Sequence, residues 1–291
     1  MHRLSKSAFF LKSLRSWLAV LLLIYPAYCF GADAQAIAAA LTQSVQGSHA
    51  SAVVLDLRAG TVLAAVGDPG SGVSGHSVPG SAIKPLLLEY ALEHGIIRPE
   101  TEVYCRRDLR IGARALPCTH PPDHPVFTAE SALAESCNTW FAEMAKRYTG
   151  AQLEDALEAT RLPHTSMLSA SVPQRQLAVL GLEGVTASPL QLAQAYRDLL
   201  LRAPASGPVV QGLADSVNYG MANQAAVRGM TILGKTGTAS NPGESWTHGW
   251  FAGALPGRFA LVIYVPHGDG GTAALLAHKF FQAINSDGHS Q

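Results

Sequence analysis

The chain is poor in charge. Only 14% of its 291 residues are Asp, Glu, Lys or Arg, and 21 bases balance 21 acids. A nucleic-acid binder draws its affinity from a basic excess, so that class is excluded. Disorder is excluded too, because 48% of the residues are hydrophobic and the net charge is zero. Cysteine is scarce, with four in all, and a chain of this length buries a full core without a disulfide framework. No CxxC or HExxH pattern occurs and the histidines show no ligand spacing, so neither a metal nor another cofactor is expected. With 27 Gly and 17 Pro, usage is near average, which excludes collagen-like and low-complexity readings.

Long apolar runs are also lacking. The uncharged stretch Trp17–Phe30 has 14 residues. As a helix it would span about 21 Å, short of the roughly 30 Å bilayer core. Arg3, Lys6, Lys12 and Arg15 precede it with no acid among them, Pro26 interrupts it, and Ala32-Asp33-Ala34 follows as a small-x-small cleavage site. That order reads as a secretory signal peptide over residues 1–34. An uncleaved leader would instead be a membrane tether. Cys29 is a poor lipid-attachment site, since bulky Tyr28 precedes it. Cleavage removes four bases and one acid, leaving 17 bases against 20 acids in residues 35–291. That balance suits a soluble periplasmic or extracellular protein.

Three cysteines remain: Cys105, Cys118 and Cys137. Cys105 and Cys118 are 13 residues apart in a segment rich in Arg, Gly and Pro. In an oxidising compartment they are expected as a disulfide, the alternative being two buried thiols. Cys137 is expected to pack as a small apolar residue.

Strand signals lie at both ends and helical signals between them. Ala36 to Val45 reads as a short helix. Ser51 to Arg58 and Thr61 to Val66 are β-rich runs around Ala59-Gly60, a hairpin pattern. A Gly-, Ser- and Pro-rich loop spans Gly67 to Gly80. Helical stretches follow at Ser81–His94, Glu130–Tyr148, Ala151–Thr160 and Pro189–Arg202. The last has Ser188 as cap, Pro189 at its first position and Gln191 closing a capping box. Its Leu192, Tyr196, Leu199 and Leu200 share one face. Runs at Thr231–Ala239, Thr247–Ala254 and Arg258–Val265 are strand-like, with a turn at Pro256-Gly257, and Thr272–Ile284 closes as a helix. The expected class is α+β: one antiparallel sheet of about five strands built from both chain ends, flanked by helices. An all-helical lobe, roughly residues 96–228, is inserted between them. Residues 35–291 are expected to form a single catalytic domain.

Three short motifs carry the chemistry. Ser81-Ala82-Ile83-Lys84 places a hydroxyl and an amine on one face at a helix start. A serine is a weak nucleophile until a base takes its proton, and a buried lysine can serve once desolvation lowers its pKa. Ser136-Cys137-Asn138 lies in the helical lobe. Lys235-Thr236-Gly237-Thr238 lies on a strand, where Lys235 supplies a second cation, Thr236 and Thr238 supply hydroxyls, and Gly237 allows close backbone approach. Each motif alone is as readily a helix cap or a solvated surface charge, and Ser-x-Asn recurs at Ser216-Val217-Asn218. All three in this order come to roughly one chance in a thousand.

With these motifs the chain resembles the transpeptidase domain of penicillin-binding proteins, within the serine β-lactamase and D-Ala-D-Ala peptidase superfamily. The likeness extends over Pro79 to Pro85, Ala134 to Thr139 with Phe141, Val185 to Ala193, Gly234 to Ala239, Trp250 to Gly253, and the opening Val53–Asp56 and Gly60–Leu63. It covers roughly residues 50 to 285, and it selects Ser136 over Ser216. It implies acyl transfer on peptidoglycan stem peptides. Ser81 would attack the carbonyl of the penultimate D-Ala and form an acyl-enzyme, with Lys84 as base. Ser136 would relay a proton to the departing amine and Asn138 would orient Lys84. Lys235 would hold a positive potential, while Thr236 and Thr238 would bind the terminal carboxylate. The N–H groups of Ser81 and Thr238 would form the oxyanion hole, and β-lactams would be covalent inhibitors. An amine acceptor would make a transpeptidase, water a D,D-carboxypeptidase. A serine β-lactamase and a non-enzymatic β-lactam or muropeptide sensor are the alternatives. A class A β-lactamase carries a Glu-x-x-Leu-Asn segment not found here, a class D enzyme carries Ser-x-Val, and sensors sit on multi-span anchors. No glycosyltransferase or pedestal region is read in the sequence, so a small stand-alone enzyme, or a specialised one acting in a particular process, is expected.

Overall fold

The computed structural model describes residues 33–67 and 75–287. Of the leader read over residues 1–34, residues 1–32 lie outside them. Asp33 and Ala34 open a helix, α1, over 33–45. Strands β1 (Ser51–Asp56) and β2 (Val62–Val66) pair antiparallel as the hairpin pattern requires. Gly60, at φ +70°, makes the turn and its N–H bonds the Asp56 carbonyl at 3.0 Å. A 3₁₀ turn at Gly80–Ile83 then runs into α2 (Lys84–Glu93). Ser81 therefore sits in the tighter turn, just ahead of the α-helix.

The lobe, expected to be all-helical, instead opens with two small ribbons, because its Arg-, Gly- and Pro-rich segment lacks a helical period. Strand β3 (Val103–Tyr104) pairs with β6 (Val126–Phe127), and β4 (Arg110–Ile111) pairs with β5 (Arg114–Ala115) between them. The lobe continues with α3 (Ala129–Ala134), α4 (Asn138–Arg147), α5 (Gly150–Thr160), α6 (Val172–Val179), α7 (Pro189–Arg202) and α8 (Pro208–Asn218). The chain then returns to the sheet as β7 (Leu233–Ala239), β8 (His248–Leu255) and β9 (Phe259–Val265), and ends in α9 (Gly270–Asp287).

The sheet order is β2-β1-β9-β8-β7. Every neighbouring pair is antiparallel, so both chain ends build one sheet as expected. Side chains alternate between its faces. Val54, Phe251, Leu261 and Ile263 pack with Ile37 and Leu41 of α1 and with Phe280 and Phe281 of α9. Val53, Leu55, Trp250, Ala252 and Val262 pack instead against α2, α7 and the lobe. Strand β9 is buried at every position, which is why it reads as a continuous apolar run. Burying each large apolar side chain contributes about 1.5–3 kcal/mol, so the two layers fix the sheet between them.

Helix α7 follows its sequence signals closely. Ser188 Oγ accepts the Gln191 N–H at 3.2 Å and Gln191 Oε1 accepts the Ser188 N–H at 3.0 Å. The buried face of α7 carries Leu192, Tyr196 and Leu199. The stretch Glu130–Tyr148, expected as one helix, is two. Helix α3 ends in a Schellman turn: the Cys137 N–H bonds the Ala132 carbonyl at 2.9 Å and the Ser136 N–H bonds that of Leu133 at 3.3 Å. Ser136 takes the left-handed conformation, φ +55°, where glycine is usual. Helices α6 and α8 were not foreseen. Among the described residues no helix is long and apolar enough to cross a membrane.

Candidate active site

Strand β7 is one edge of the sheet, and the turn carrying Ser81 packs against it. A Cβ on Gly237 would lie 2.3 Å from the Pro79 carbonyl oxygen and 3.0 Å from the Ala82 nitrogen. The turn and the strand thus meet backbone to backbone, and only glycine permits it. Gly80 completes the contact: its N–H bonds the Gly181 carbonyl at 2.9 Å, and a Cβ there would strike Thr238. The approach to the turn is pinned by three donors. The Val78 carbonyl accepts His248 Nε2 at 2.8 Å and Trp250 Nε1 at 3.1 Å, and the Tyr196 hydroxyl donates to the Ala82 carbonyl at 2.7 Å. Of these holding residues, Trp250 lies in a segment the sequence reading singled out; that reading missed His248 and placed Tyr196 only on an apolar face.

Lys84 follows on the first turn of α2. Its side chain is fully buried. Nζ donates to Asn138 Oδ1 at 2.8 Å, to the Ser136 carbonyl at 3.0 Å and to Ser136 Oγ at 3.2 Å. The break between α3 and α4 makes this possible, because the left-handed turn directs both the carbonyl and the hydroxyl of Ser136 at one amine. Burial pushes Lys84 down to about 8, opposed in part by the thiols of Cys137 and Cys118. The Phe141 ring lies 4.9 Å from the same amine. Asn138 is held from its other end, Nδ2 facing the Leu116 and Pro117 carbonyls at 3.5 and 3.4 Å.

Lys235 is also fully buried. Burial first, and then the charge of Lys84, hold it well below the usual lysine range. Its Nζ donates to the Thr236 carbonyl at 3.2 Å. The Thr236 hydroxyl donates to the Met221 carbonyl at 3.2 Å, while Thr238 Oγ1 accepts the Gly270 N–H at 2.9 Å. Thr238 therefore keeps its own proton free to donate, whereas Thr236 has committed its single proton to the backbone.

These groups border one cleft of about 800 Å³ lined by Ser81, Ser136, Asn138, Thr236 and Thr238. The Pro117–Asp123 loop and the Asp269–Gly271 start of α9 form further walls that sequence reasoning did not find. Ser216, the competing serine, is buried in α8 and does not itself line the cleft. The structure thus gathers the three motifs at one place, with Gly237 behind the nucleophile turn.

The cysteines differ from expectation. Cys105 and Cys118 meet, but their sulfurs are unbonded, 3.4 Å apart. They are not alone: Cys137 Sγ lies 3.9 Å from Cys118 Sγ, and His120 Nε2 lies 3.5 Å from Cys105 Sγ. Local spacing could not show this group, because its members come from separate segments that only the folded lobe joins.

Comparison with known proteins follows the same lines. The family model for the penicillin binding protein transpeptidase domain matches residues 50–286. No curated protein matched the sequence. Among solved structures, the D,D-transpeptidase domain of a peptidoglycan glycosyltransferase from Eggerthella lenta superposes with a TM-score of 0.75 at 17% identity, covering 88% of this chain and 82% of that one. The transpeptidase domain of Burkholderia pseudomallei penicillin-binding protein 3 gives 0.75 at 18% identity, covering 88% and 94%. Pseudomonas aeruginosa PBP2, solved in complex with WCK 5153, gives 0.73 at 19% identity, covering 88% and 75%. At these identities the likeness speaks for the fold.

Proposed function

This chain belongs to the penicillin-binding protein transpeptidase domain family, and from that premise we propose that it is a serine D-Ala-D-Ala transpeptidase or carboxypeptidase working through a Ser81 acyl-enzyme. Domains of this family act on peptidoglycan outside the cytoplasm and take β-lactams in the same site. Export of this chain by the leader in residues 1–34, with residues 35–291 as one catalytic domain, fits that setting.

The observation that carries the reading is the dry Lys84 amine, bonded at once to Ser136 and Asn138 and lowered to about 8. An amine in that state is a competent general base near neutral pH. In the first step Ser81 Oγ attacks the carbonyl carbon of the penultimate D-Ala, and its proton passes to neutral Lys84 Nζ. The negative charge develops on the carbonyl oxygen, between the N–H groups of Ser81 and Thr238. The contact of the Ser81 turn with the Thr238 backbone supports that assignment. Losing one such donor typically costs roughly 10² to 10³ in rate. The Ser136 hydroxyl, 3.2 Å from Nζ, relays the proton to the leaving nitrogen, and D-Ala departs as the C–N bond breaks. An amine or water then attacks the ester and regenerates Ser81. The terminal carboxylate is held by the Lys235 potential and the Thr238 hydroxyl, with Thr236 joining once it releases Met221.

Intact-protein mass spectrometry after incubation with penicillin tests this, with Ser81→Ala as control. A long-lived adduct requiring Ser81, followed by D-Ala release from stem-peptide mimics, is the expected result. Rapid loss of the adduct with consumption of the antibiotic would assign a β-lactamase. An adduct without D-Ala release or cross-linking would assign a sensor.

A further inference from the structure

The segment 105–125 borders the cleft yet has little regular structure, only the β4–β5 ribbon, with the short β3–β6 pair closing it off at both ends. Long irregular loops in a compact domain ordinarily need something to hold them. At its root lie Cys105, Cys118 and His120, and Cys137 joins them from the turn between α3 and α4. All four are buried, and their donor atoms all lie within 4.8 Å of one another.

We propose that Cys105, Cys118, His120 and Cys137 form a binding site for one thiophilic divalent cation of the zinc class, which fastens the 105–125 loop to the active-site turn. Zinc bonds of about 2.3 Å to sulfur and 2.0 Å to nitrogen, at tetrahedral angles, put two sulfurs about 3.8 Å apart and a sulfur about 3.5 Å from the nitrogen. The observed separations are 3.4 and 3.9 Å between sulfurs and 3.5 Å from sulfur to Nε2. Four donors, three thiols and one imidazole, make a closed structural set with no position left for water.

The surroundings are those of a ligated histidine and ligated thiols. His120 Nδ1 lies 2.8 Å from the Pro121 carbonyl, so that nitrogen carries the proton and Nε2 turns a lone pair toward the sulfurs. Glu135 Oε2, 3.6 Å from Nδ1, is buried without a hydrogen-bond partner and stands behind the same ring. A metal-bound histidine is oriented by such a carbonyl or carboxylate. The Thr139 hydroxyl lies 3.4 Å from Cys105 Sγ and 3.5 Å from Cys118 Sγ. Three thiolates and one divalent cation carry a net charge of −1, and Arg107 flanks it, donating to the His120 carbonyl at 2.7 Å and the Cys118 carbonyl at 3.3 Å.

The position gives the site its consequence. Cys137 sits between Ser136 and Asn138, the two partners of Lys84. Asn138 in turn faces the Leu116 and Pro117 carbonyls on the fastened loop. A cation here would set the register of that pair and the wall of the cleft. The metal site stands independently of the proposed peptidase activity; only its effect on the cleft leans on it.

The test is metal analysis of the full chain, exported and purified without chelator, by native mass spectrometry and elemental analysis. One zinc per chain and three thiols that react only after chelation are expected. Titrating the chelated protein with Co²⁺ should give the sulfur-to-metal charge-transfer band and the d–d bands of tetrahedral cobalt. His120→Ala and Cys105→Ser should each weaken zinc binding by about 100-fold or more, and unchanged far-UV circular dichroism would exclude misfolding as the cause. If a variant fails to fold, the cobalt spectrum of the wild type decides alone. A Cys105–Cys118 disulfide with no bound metal, seen as a mass lower by two hydrogens, overturns the proposal. So does zinc held equally well by both variants, or cobalt bound without charge transfer from sulfur. Penicillin acylation of zinc-loaded and chelated protein, measured in parallel, reads the effect on the cleft separately.

Discussion

Lys84 Nζ and Asn138 Oδ1, 54 residues apart in the chain, are joined by a 2.8 Å hydrogen bond inside the protein. The amide acceptor holds the amine toward Ser136 without adding a charge that would keep it protonated. Asn138→Ala is expected to leave Lys84 loosely placed and to slow acylation by penicillin by about 10²-fold, the lower end of what a positioned base contributes. Asn138→Asp should also slow it, because a carboxylate beside the amine favours the protonated form. Stopped-flow acylation with a chromogenic β-lactam measures both.

Acylation should depend on pH through Lys84. Its folded-state value is lowered to about 8, chiefly by burial. Below that pH the amine is protonated and cannot accept the Ser81 proton; above it the neutral base dominates. The acylation rate is therefore expected to rise with pH and level off above about 8. A rate that falls across pH 6 to 8 would remove Lys84 from the role of base.

A methionine in place of Lys84 separates activity from stability. The buried amine is costly to desolvate, and an apolar side chain of similar volume is not. Lys84→Met should abolish acylation while the melting temperature holds or rises. Activity surviving in this variant would place the base elsewhere.

Ser136 occupies the left-handed C′ position of a Schellman turn, at φ +55°. A side chain there costs about 1 kcal/mol relative to glycine. Ser136→Gly and Ser136→Ala both remove the relay hydroxyl, so both should lose acylation to a similar degree. The glycine variant should nonetheless be the more stable by about 1 kcal/mol, readable by urea denaturation. Equal stabilities would mean that the turn relaxes in solution.

Gly237→Ala tests the contact between β7 and the nucleophile turn. The added carbon would meet the Pro79 carbonyl at 2.3 Å, and overpacking of this kind costs about 1–3 kcal/mol. Loss of acylation with a lower melting temperature is expected. Tyr196→Phe is the milder partner: it strips the Ala82 carbonyl of its 2.7 Å donor, at a cost of about 1–3 kcal/mol for the stranded acceptor.

Much of the architecture was legible along the chain. Strand β9 is apolar throughout because helices cover both faces, and α7 begins where Ser188, Pro189 and Gln191 announce it. The division of Glu130–Tyr148 was not legible. Its composition is helical across the break, and long-range contacts impose the turn: the Ala134 carbonyl accepts the Met221 N–H at 3.1 Å, and Cys137 is wholly buried. Helix α6, eight residues long and weakly periodic, was missed for a related reason, since such a helix is stabilised by what it packs on; α8 was legible, with Pro208 at its first position and Val209, Leu213, Ser216 and Val217 on one buried face.

The sequence by itself determined which groups are present and which local segments carry them: a Ser and a Lys on one turn, a Ser-Cys-Asn stretch, a Lys-Thr-Gly-Thr strand, and an apolar alternation able to form one sheet from two chain ends. Those are matters of short-range spacing, of period two and 3.6, and a chain displays them wherever it goes. Only the tertiary structure decided that Lys84 gives up its water to meet Ser136 and Asn138, that Thr236 spends its proton on Met221, and that three cysteines and one histidine from separate segments share one buried point. Desolvation and convergence depend on what packs around a group, and that is set by contacts between residues far apart in the chain.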